Sequence, residues 1–346
     1  MDDARETLPE TIADIEALEE VMTRPSPALA RALAALDGDI VVLGAGGKMG
    51  PTLCRLAKRA APGKRVIAVA RFSESGLAER LNSHGVETVA CDLLDRDAVA
   101  GLPDAANVVY MAGRKFGSTG AEHLTWAMNA LAPAIIAERY RDARIVALST
   151  GCVYPFWPTA HGGPDESVPP NPPPGEYAWS CVARERVFEH YSALHGTAGR
   201  LIRLNYSIDM RYGVLHDVGR LVLEGQPVDV TMGHVNVVWQ GDANAMILMA
   251  LGQATAPTTP LNVSGPETVS IRALAQAFGR AFGKEATIAG EEAAAGWLND
   301  ASLALGLFGN PRVSLGQLIT WQADWLQRGM PTLGKPTGFQ VRDGKF

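Results

Sequence analysis

The stretch IVVLGAGGKMGPTLCRLA, residues 40–57, decides the fold of this chain. Its first four residues are apolar and mostly β-branched, which predicts a buried strand, and the segment after the glycines has the apolar spacing of a helix. Between them, Gly44, Gly47 and Gly50 stand in a GxxGxxG spacing. Glycines in this context allow a tight turn and let backbone N–H groups approach a phosphate at the positive end of the helix. The stretch therefore predicts a dinucleotide-binding βα turn.

The same alternation continues along the chain. Apolar runs of strand length, at 39–44, 65–71, 87–92, 107–113 and 144–150, are separated by segments with helical spacing. This rhythm is typical of βαβ units and predicts a doubly wound α/β fold with a parallel sheet, a Rossmann fold. We predict a helical N-terminal extension (1–38), a dinucleotide-binding domain (39–205), a smaller C-terminal lobe that binds substrate and returns late strands to the main sheet (206–330), and a tail (331–346).

Composition and charge exclude several other classes. The chain has 346 residues, 47% of them hydrophobic and 20% charged, and a formal net charge of −6, which gives no electrostatic case for a nucleic-acid partner. No apolar run approaches the roughly 20 residues that span a bilayer. The acidic start lacks the apolar core of a secretory signal, so we expect a cytoplasmic protein. No cysteine spacing indicates a metal site, and the cysteines are Cys54, Cys91, Cys152 and Cys181.

The end of the second strand should select between NAD and NADP. An acidic residue there would bind the ribose 2′-hydroxyl of NAD, but the sequence has Arg71 followed by Phe72 and Ser73. An arginine can pair with a 2′-phosphate, so we expect NAD(P), with a preference for NADP. Asp92, after the third strand, could accept a hydrogen bond from the adenine amino group.

The order of motifs resembles that of the extended short-chain dehydrogenase/reductase family, in its NAD-dependent epimerase/dehydratase branch. GxxGxxG is followed by CDLL (91–94), YMAG (110–113), STGCVYP (149–155), a proline-rich loop with Glu166, and Tyr177 at the start of a helix. The loop at 157–176 is expected to cover the active site. The resemblance implies a cofactor site made of Gly44, Gly46, Gly47, Lys48, Met49, Gly50, Arg71, Asp92, Leu93, Met111, Ala112 and Gly113.

The resemblance also implies catalytic roles. Thr150 stands at the place of the family's catalytic Ser/Thr, which polarises the reacting oxygen. Tyr177 stands at the place of the general acid/base, which exchanges a proton with that oxygen while hydride moves at the adjacent carbon. The lysine that the family has four residues later is replaced by Cys181. A tyrosine has a pKa near 10, so the loss of this cation handicaps a base.

Three interpretations of Cys181 remain open from the sequence. Arg184, two helical turns after Tyr177, or Lys115, after the fourth strand, could supply the missing charge. Tyr177 could act as an acid or hydrogen-bond donor, which needs no lowered pKa. In the third interpretation the protein binds a nucleotide without turnover, as a sensor or regulatory protein.

The substrate side is predicted from polar residues in the later segments. Arginines there could bind an anion, and the family's usual substrates are nucleotide-linked sugars. The predicted substrate residues are Arg203, Asn205, Arg211, His216 and His234. The resulting hypothesis is an NAD(P)-dependent oxidoreductase or epimerase/dehydratase that acts on a small sugar-like or anionic hydroxy or keto compound. It departs from the family pattern at Cys181, and we expect it to form a homodimer.

Overall fold

The computed structural model describes residues 8–115, 117, 120–335 and 337–343. The strands of its main sheet are β1 (Ile40–Leu43), β2 (Val66–Ala70), β3 (Glu87–Ala90), β4 (Asn107–Tyr110), β5 (Arg144–Leu148), β6 (Gly199–Leu204) and β7 (Thr259–Val263). Among the described residues these seven strands form one parallel sheet in the order β7-β6-β5-β4-β1-β2-β3. The chain reverses its direction of winding between β1 and β4. In such sheets ligands bind at this switch point, beyond the carboxyl ends of the strands.

Helices connect the strands and form the second lobe. Their bounds are α1 (Ile15–Met22), α2 (Pro27–Ala34), α3 (Gly50–Ala60), α4 (Leu77–Ser83), α5 (Arg96–Ala100), α6 (Glu122–Trp126), α7 (Ala132–Arg139), α8 (Glu176–His195), α9 (Val214–Leu223), α10 (Gln240–Met249), α11 (Ile271–Phe282), α12 (Ser302–Phe308) and α13 (Leu315–Gln327). A π-helical turn at Ala127–Leu131 joins α6 to α7. None of the described helices combines the length and apolar character needed to cross a bilayer.

The alternation of side chains along β1 divides the core into two layers. Ile40 and Val42 pack with α2, α3 and α10 on one face of the sheet, while Val41 and Leu43 pack with α5 and α7 on the other. Because both faces are covered, the strand is fully buried and its sequence is continuously apolar. This confirms the doubly wound fold predicted from the sequence.

The N-terminal extension packs on its own chain. The Ser26 hydroxyl accepts from the N–H of Leu29 and caps α2, with Pro27 at the first helical position. Leu29 and Leu33 are fully buried against α3 and α10, and each contributes about 1.5–3 kcal/mol by leaving water. The extension therefore completes one layer of the main core.

The C-terminal lobe is formed by α9, α11 and α13, with short strand pairs beside them. These pairs are Ser207–Ile208 with Val238–Trp239, Val228–Asp229 with Ile288–Ala289, His234–Val235 with Val269–Ser270, and Trp157–Pro158 with Ala295–Gly296. β7 returns from this lobe to the edge of the main sheet. The described part of the tail is docked on the lobe, where Phe339 joins the apolar core.

Candidate active site

Two cavities meet at the carboxyl ends of β1 and β4. One has a volume of about 360 Å³ and is called the inner cavity; the other has about 390 Å³ and is called the outer cavity. The walls of both include Gly44, Gly47, Met111 and Gly113. Together they form an elongated site at the switch point of the sheet, the shape that a two-part ligand requires.

The glycine loop requires its glycines for steric reasons. Gly44 has a φ of +85°, and a Cβ there would lie 2.5 Å from the backbone nitrogen of Ala112. A Cβ at Gly50 would lie 2.3 Å from the carbonyl oxygen of Ala45. Helix α3 begins at Gly50 without a side-chain cap, so its positive end faces the loop. These features are compatible with a bound pyrophosphate, and the cofactor site stays a prediction.

The outer cavity contains most of the predicted cofactor residues that lie outside the glycine loop. It is bordered by the residues that follow β2, β3 and β4, among them Arg71, Asp92, Leu93 and Ala112, with Gly46 from the glycine loop. Arg71 is exposed at the mouth of the cavity. The Asp92 carboxylate accepts from the N–H of Leu94 at 3.0 Å, which fixes the turn after β3. Glu74, the first carboxylate after β2, pairs with Arg80 at 2.6 Å.

Thr150 and Tyr177 line the inner cavity together. Thr150 follows β5, and its hydroxyl accepts from the N–H of Cys152 at 3.2 Å. Tyr177 lies in the first turn of α8, within hydrogen-bonding reach of Thr150. Removal from water, together with the Cys181 and Cys152 thiols, raises the pKa of Tyr177 well above its ordinary value of 10. At neutral pH the phenol is therefore a proton and hydrogen-bond donor.

Cys181 lies one turn after Tyr177 and does not line either cavity. It is fully buried in a small cluster with Val153, Val182 and Tyr177. Burial raises the pKa of the Cys181 thiol to about 11, so the group is neutral at physiological pH. The residue in the place of the family's lysine thus brings no charge to the site.

Arg184 lies behind the inner cavity rather than in its wall. Its guanidinium donates to the carbonyl of Leu148 at 2.8 Å and to the side-chain oxygen of Asn129 at 2.6 Å. Its charge lowers the pKa of Tyr177 but does not outweigh burial and the two thiols. Arg184, which the sequence offered as a source of the missing charge, therefore acts on Tyr177 from behind the cavity, where its guanidinium also fixes β5 against the π-helical turn.

Two lysines reach the inner cavity. The Lys48 ammonium donates to the carbonyl of Ser207 at 3.1 Å and lies 4.5 Å from the centroid of the Tyr212 ring. Loss of water lowers the pKa of Lys48 to about 8. The Lys115 ammonium lies 5.8 Å from the centroid of the Tyr177 ring, and burial lowers its pKa as well. The Lys115 ammonium thus lies near the ring of Tyr177, whereas Arg184 is the cation whose charge lowers the pKa of Tyr177.

The comparisons with known proteins match the part of the chain that contains the glycine loop and the first six strands of the main sheet. Residues 40–207 match the model of the NAD dependent epimerase/dehydratase family. This part of the chain is similar to that family. A comparison with curated protein sequences finds no significant match. The family is one of NAD-dependent enzymes, which confirms the resemblance and the class of enzyme predicted from the sequence.

Solved structures share the epimerase/dehydratase fold over most of the chain. A Thermus thermophilus UDP-glucose 4-epimerase complex with NAD is 21% identical, with a TM-score of 0.68, over 84% of this chain and 99% of that one. A Bacillus cereus UDP-glucuronic acid 4-epimerase in complex with UDP-glucuronic acid and NAD is 19% identical, with a TM-score of 0.70, over 84% and 99%. An epimerase from Methanothermobacter thermautotrophicus is 17% identical, with a TM-score of 0.70, over 88% and 96%. At these identities the likeness concerns the fold.

Beyond the family match, Asn205 is the predicted substrate residue that lines the inner cavity. Arg203 does not, because its guanidinium forms a buried ion pair with Glu185 at 2.8 Å and donates to the Tyr154 hydroxyl at 2.8 Å. A buried guanidinium needs a carboxylate, and this pairing explains its position. Arg211 is likewise outside the cavity, because it pairs with Asp209 at 2.8 Å and with Glu19 of α1 at 3.2 Å.

The two histidines and the proline-rich loop also lie elsewhere. His216 is buried on α9, where its Nδ1 lies 3.5 Å from the carboxylate of Asp217. His234 is in a short strand of the C-terminal lobe. Neither lines a cavity. No residue of 157–176 does so either, although this loop was expected to cover the site. It packs against β7, where Asn262 bonds to the Glu166 carboxylate and to the Pro164 carbonyl.

Several cavity residues had no signal in the sequence. Tyr206 and Tyr212 follow β6, and Thr337 comes from the tail. Asn129 lies behind the wall, where its amide bonds to both backbone groups of Arg114. The one hint in the sequence for these residues was Asn129, a polar residue within an otherwise apolar helical segment. Thr337 could not be found from the sequence, because its position depends on how the tail docks.

Proposed function

We propose that the protein is an NAD(P)-dependent oxidoreductase or epimerase/dehydratase that acts on a hydroxy or keto group of a sugar-like small molecule. The observation that supports this most directly is the meeting of Thr150 and Tyr177 in the inner cavity, next to the glycine loop. A dinucleotide with its adenosine end in the outer cavity would place its nicotinamide end beside these two side chains. When bound, the nicotinamide supplies hydride exchange at the substrate carbon.

The protein's own groups bind and polarise the substrate oxygen. The Thr150 hydroxyl is held in place by the N–H of Cys152 and hydrogen-bonds the reacting oxygen. The Tyr177 phenol stays protonated at neutral pH, because its pKa is raised, and donates its proton to that oxygen as a carbonyl becomes a hydroxyl. Proton donation does not need the lowered pKa that a lysine at position 181 would give. This is the second of the three interpretations of Cys181.

The proposal also includes a choice between NAD and NADP as the cofactor. Arg71 is exposed at the mouth of the outer cavity and no carboxylate stands at the end of β2, which supports NADP. The matched epimerases were solved with NAD, which supports NAD. Calorimetric titration of the protein with NAD⁺, NADH, NADP⁺ and NADPH separates the two. Binding of the phosphorylated pair at least about tenfold tighter supports Arg71 as the selecting residue.

Replacement of Tyr177 tests the catalytic assignment. On a substrate found by screening carbonyl compounds with the preferred reduced cofactor, Tyr177→Phe should lower kcat by about 10²–10⁴-fold, because the proton donor is lost. Tyr191→Phe, on the same helix but outside both cavities, is the matched control and should keep full activity. Unchanged turnover by Tyr177→Phe would show that the catalytic assignment is wrong.

A second function is favoured by one observation. Cys181 is neutral and the pKa of Tyr177 is raised, so the site lacks the activated base that a reversible oxidoreductase uses. A nucleotide-binding sensor on the same fold would need no such base. If the protein binds a nicotinamide cofactor and oxidises none of its reduced form with any carbonyl compound of a broad panel, the sensor is the better description.

A further inference from the structure

The inner cavity has a strongly one-sided charge. Its lining includes the ammonium-bearing side chains of Lys48 and Lys115 and, among the described residues, no aspartate or glutamate. The carboxylate that favours the charged form of Lys48 is Asp209. It accepts from two guanidinium nitrogens of Arg211, at 3.1 and 2.8 Å. The cavity is thus positively charged and lined by hydroxyl and amide groups, with Thr150, Tyr177 and Asn205 among them.

We infer that the substrate of this site is a small hydroxy or keto compound that carries a carboxylate or phosphate group, bound by Lys48 and Lys115, rather than a nucleotide-linked sugar. This inference rests on the proposed function, since it places the anion beside the Thr150 and Tyr177 pair. The sequence predicted Arg203 and Arg211 as the anion-binding residues. The inference assigns this role instead to Lys48 and Lys115, which line the cavity.

The size of the cavity supports a small ligand. Its volume of about 360 Å³ is near the lower end of the range for small-molecule sites, and the nicotinamide end of the cofactor takes part of it. The tail closes one side, because the Thr337 N–H and hydroxyl donate to the Asp217 carboxylate at 2.8 and 2.7 Å while its carbonyl accepts from Lys115 at 3.3 Å. A small sugar acid or sugar phosphate fits in the remaining space.

The positions of the two lysines also fit an anion electrostatically. Lys48 comes from the glycine loop and Lys115 from the segment after β4, so they approach the cavity from different elements. Both ammonium groups have lost water, and the pKa of each is lowered for that reason. A bound carboxylate or phosphate would replace the lost solvation and favour the charged form of both.

A matched pair of ligands tests the inference by binding alone. In calorimetric titrations at pH 7 with saturating cofactor, glucuronate should bind at least about tenfold tighter than glucose, from which it differs by one carboxylate. Glucose 6-phosphate serves as the phosphate probe and UDP-glucose as the nucleotide-linked one. Equal affinity for glucuronate, glucose 6-phosphate and glucose, or tighter binding of UDP-glucose than of both anions, would overturn the inference.

Variants assign the effect to the two lysines. Lys48→Met and Lys115→Met should each weaken binding of the preferred anion by about tenfold and leave glucose unchanged, while Lys284→Met, exposed and distant, should have no effect. If the two variants instead weaken the cofactor and leave the anion unaffected, the charges serve the cofactor's pyrophosphate and the inference is wrong. Tyr177→Phe keeps the two proposals apart. Unchanged activity in this variant would count against the proposed function, whereas loss of the preference for anions in the wild-type protein would count against this inference.

The pH dependence gives an independent readout. Lys48 is surrounded by Asp209, which favours its charge, by Arg211, which opposes it, and by the Tyr212 ring. With a pKa of about 8, Lys48 loses its proton between pH 7 and pH 9, so glucuronate affinity should fall by up to about tenfold over this interval. A sugar carboxylate stays ionised throughout. In Lys48→Met the fall should be clearly smaller, with only the part due to Lys115 left, and a fall of the same size in that variant would contradict the role of Lys48.

Discussion

At the scale of single residues, Gly44 sets the path of the chain into the site. Its left-handed backbone brings the turn so close to Ala112 that a side chain has no room. Lys48, four residues on, is the polar member of the same loop and points its ammonium into the inner cavity. One loop therefore determines both the shape and the charge of the candidate active site.

Replacement of Gly44 should damage stability and cofactor binding together. Gly44→Ala combines a left-handed conformation, about 1–2 kcal/mol, with overpacking against Ala112, about 1–3 kcal/mol, so the free energy of unfolding should fall by about 2–5 kcal/mol. Gly63→Ala is the control, because no atom lies within 4 Å of its added Cβ. Urea unfolding and calorimetric titration with the cofactor measure the two effects. A Gly44→Ala protein as stable as Gly63→Ala would contradict the steric argument.

At the scale of elements, a buried polar network ties α8 to the main sheet. Glu185 of α8 accepts from Arg203 of β6, at 2.8 and 3.1 Å, and from the Ser149 hydroxyl after β5, at 2.6 Å. Ser149 is next to Thr150, and Glu185 is on the helix that presents Tyr177. The network therefore fixes the position of α8 relative to the end of β5.

Removal of one charge from this pair should be costly. Glu185→Gln leaves the Arg203 guanidinium buried without its counter-ion, and the free energy of unfolding should fall by about 3–5 kcal/mol. Glu224→Gln is the matched control, since Glu224 forms an exposed pair with Arg220 at 2.7 Å, worth at most about 1 kcal/mol. The comparison is made by urea unfolding at neutral pH. Equal effects of the two variants would show that the network adds no more than a surface pair.

At the scale of the whole molecule, the two ends of the chain meet the body in different places. The N-terminal helices complete the core beside α3 and α10, and the tail docks on the C-terminal lobe through Asp217 and Phe339. Arg342 adds a contact over the Phe156 ring at 4.0 Å. Closure of the inner cavity thus depends on residues more than 150 positions after Tyr177 in the sequence.

Loosening the tail should open the inner cavity. In Asp217→Ala the Thr337 N–H loses a charged acceptor, and hydrogen exchange of the segment 331–343 should accelerate about tenfold or more. Asp229→Ala is the control, because Asp229 accepts from the N–H and hydroxyl of Thr231 in the same way at an exposed turn. Mass-spectrometric exchange at neutral pH is the measurement. No change in the tail of Asp217→Ala would show that other contacts hold it.

Much of the fold could be predicted from the sequence because the information is local. The runs of apolar residues fixed the first five strands, and the alternation with helices fixed their parallel arrangement. The start of α2 also has a local cause, since Ser26 caps the helix and Pro27 takes its first position. The glycine spacing and the Thr150 and Tyr177 positions led to the family whose model matches residues 40–207. The expected homodimer and cytoplasmic location stay predictions.

The tertiary structure alone decided which polar residues face the cavity. Arg203 and Arg211 had the chemistry of anion-binding residues, but each found a carboxylate from another element, because a buried charge must be paired. Lys48 and Lys115 reached the cavity because the ends of β1 and β4 are neighbours in the sheet. The sequence by itself determined the architecture and the position of the site through local patterns, and contacts between distant segments determined the charge, the size and the closure of that site.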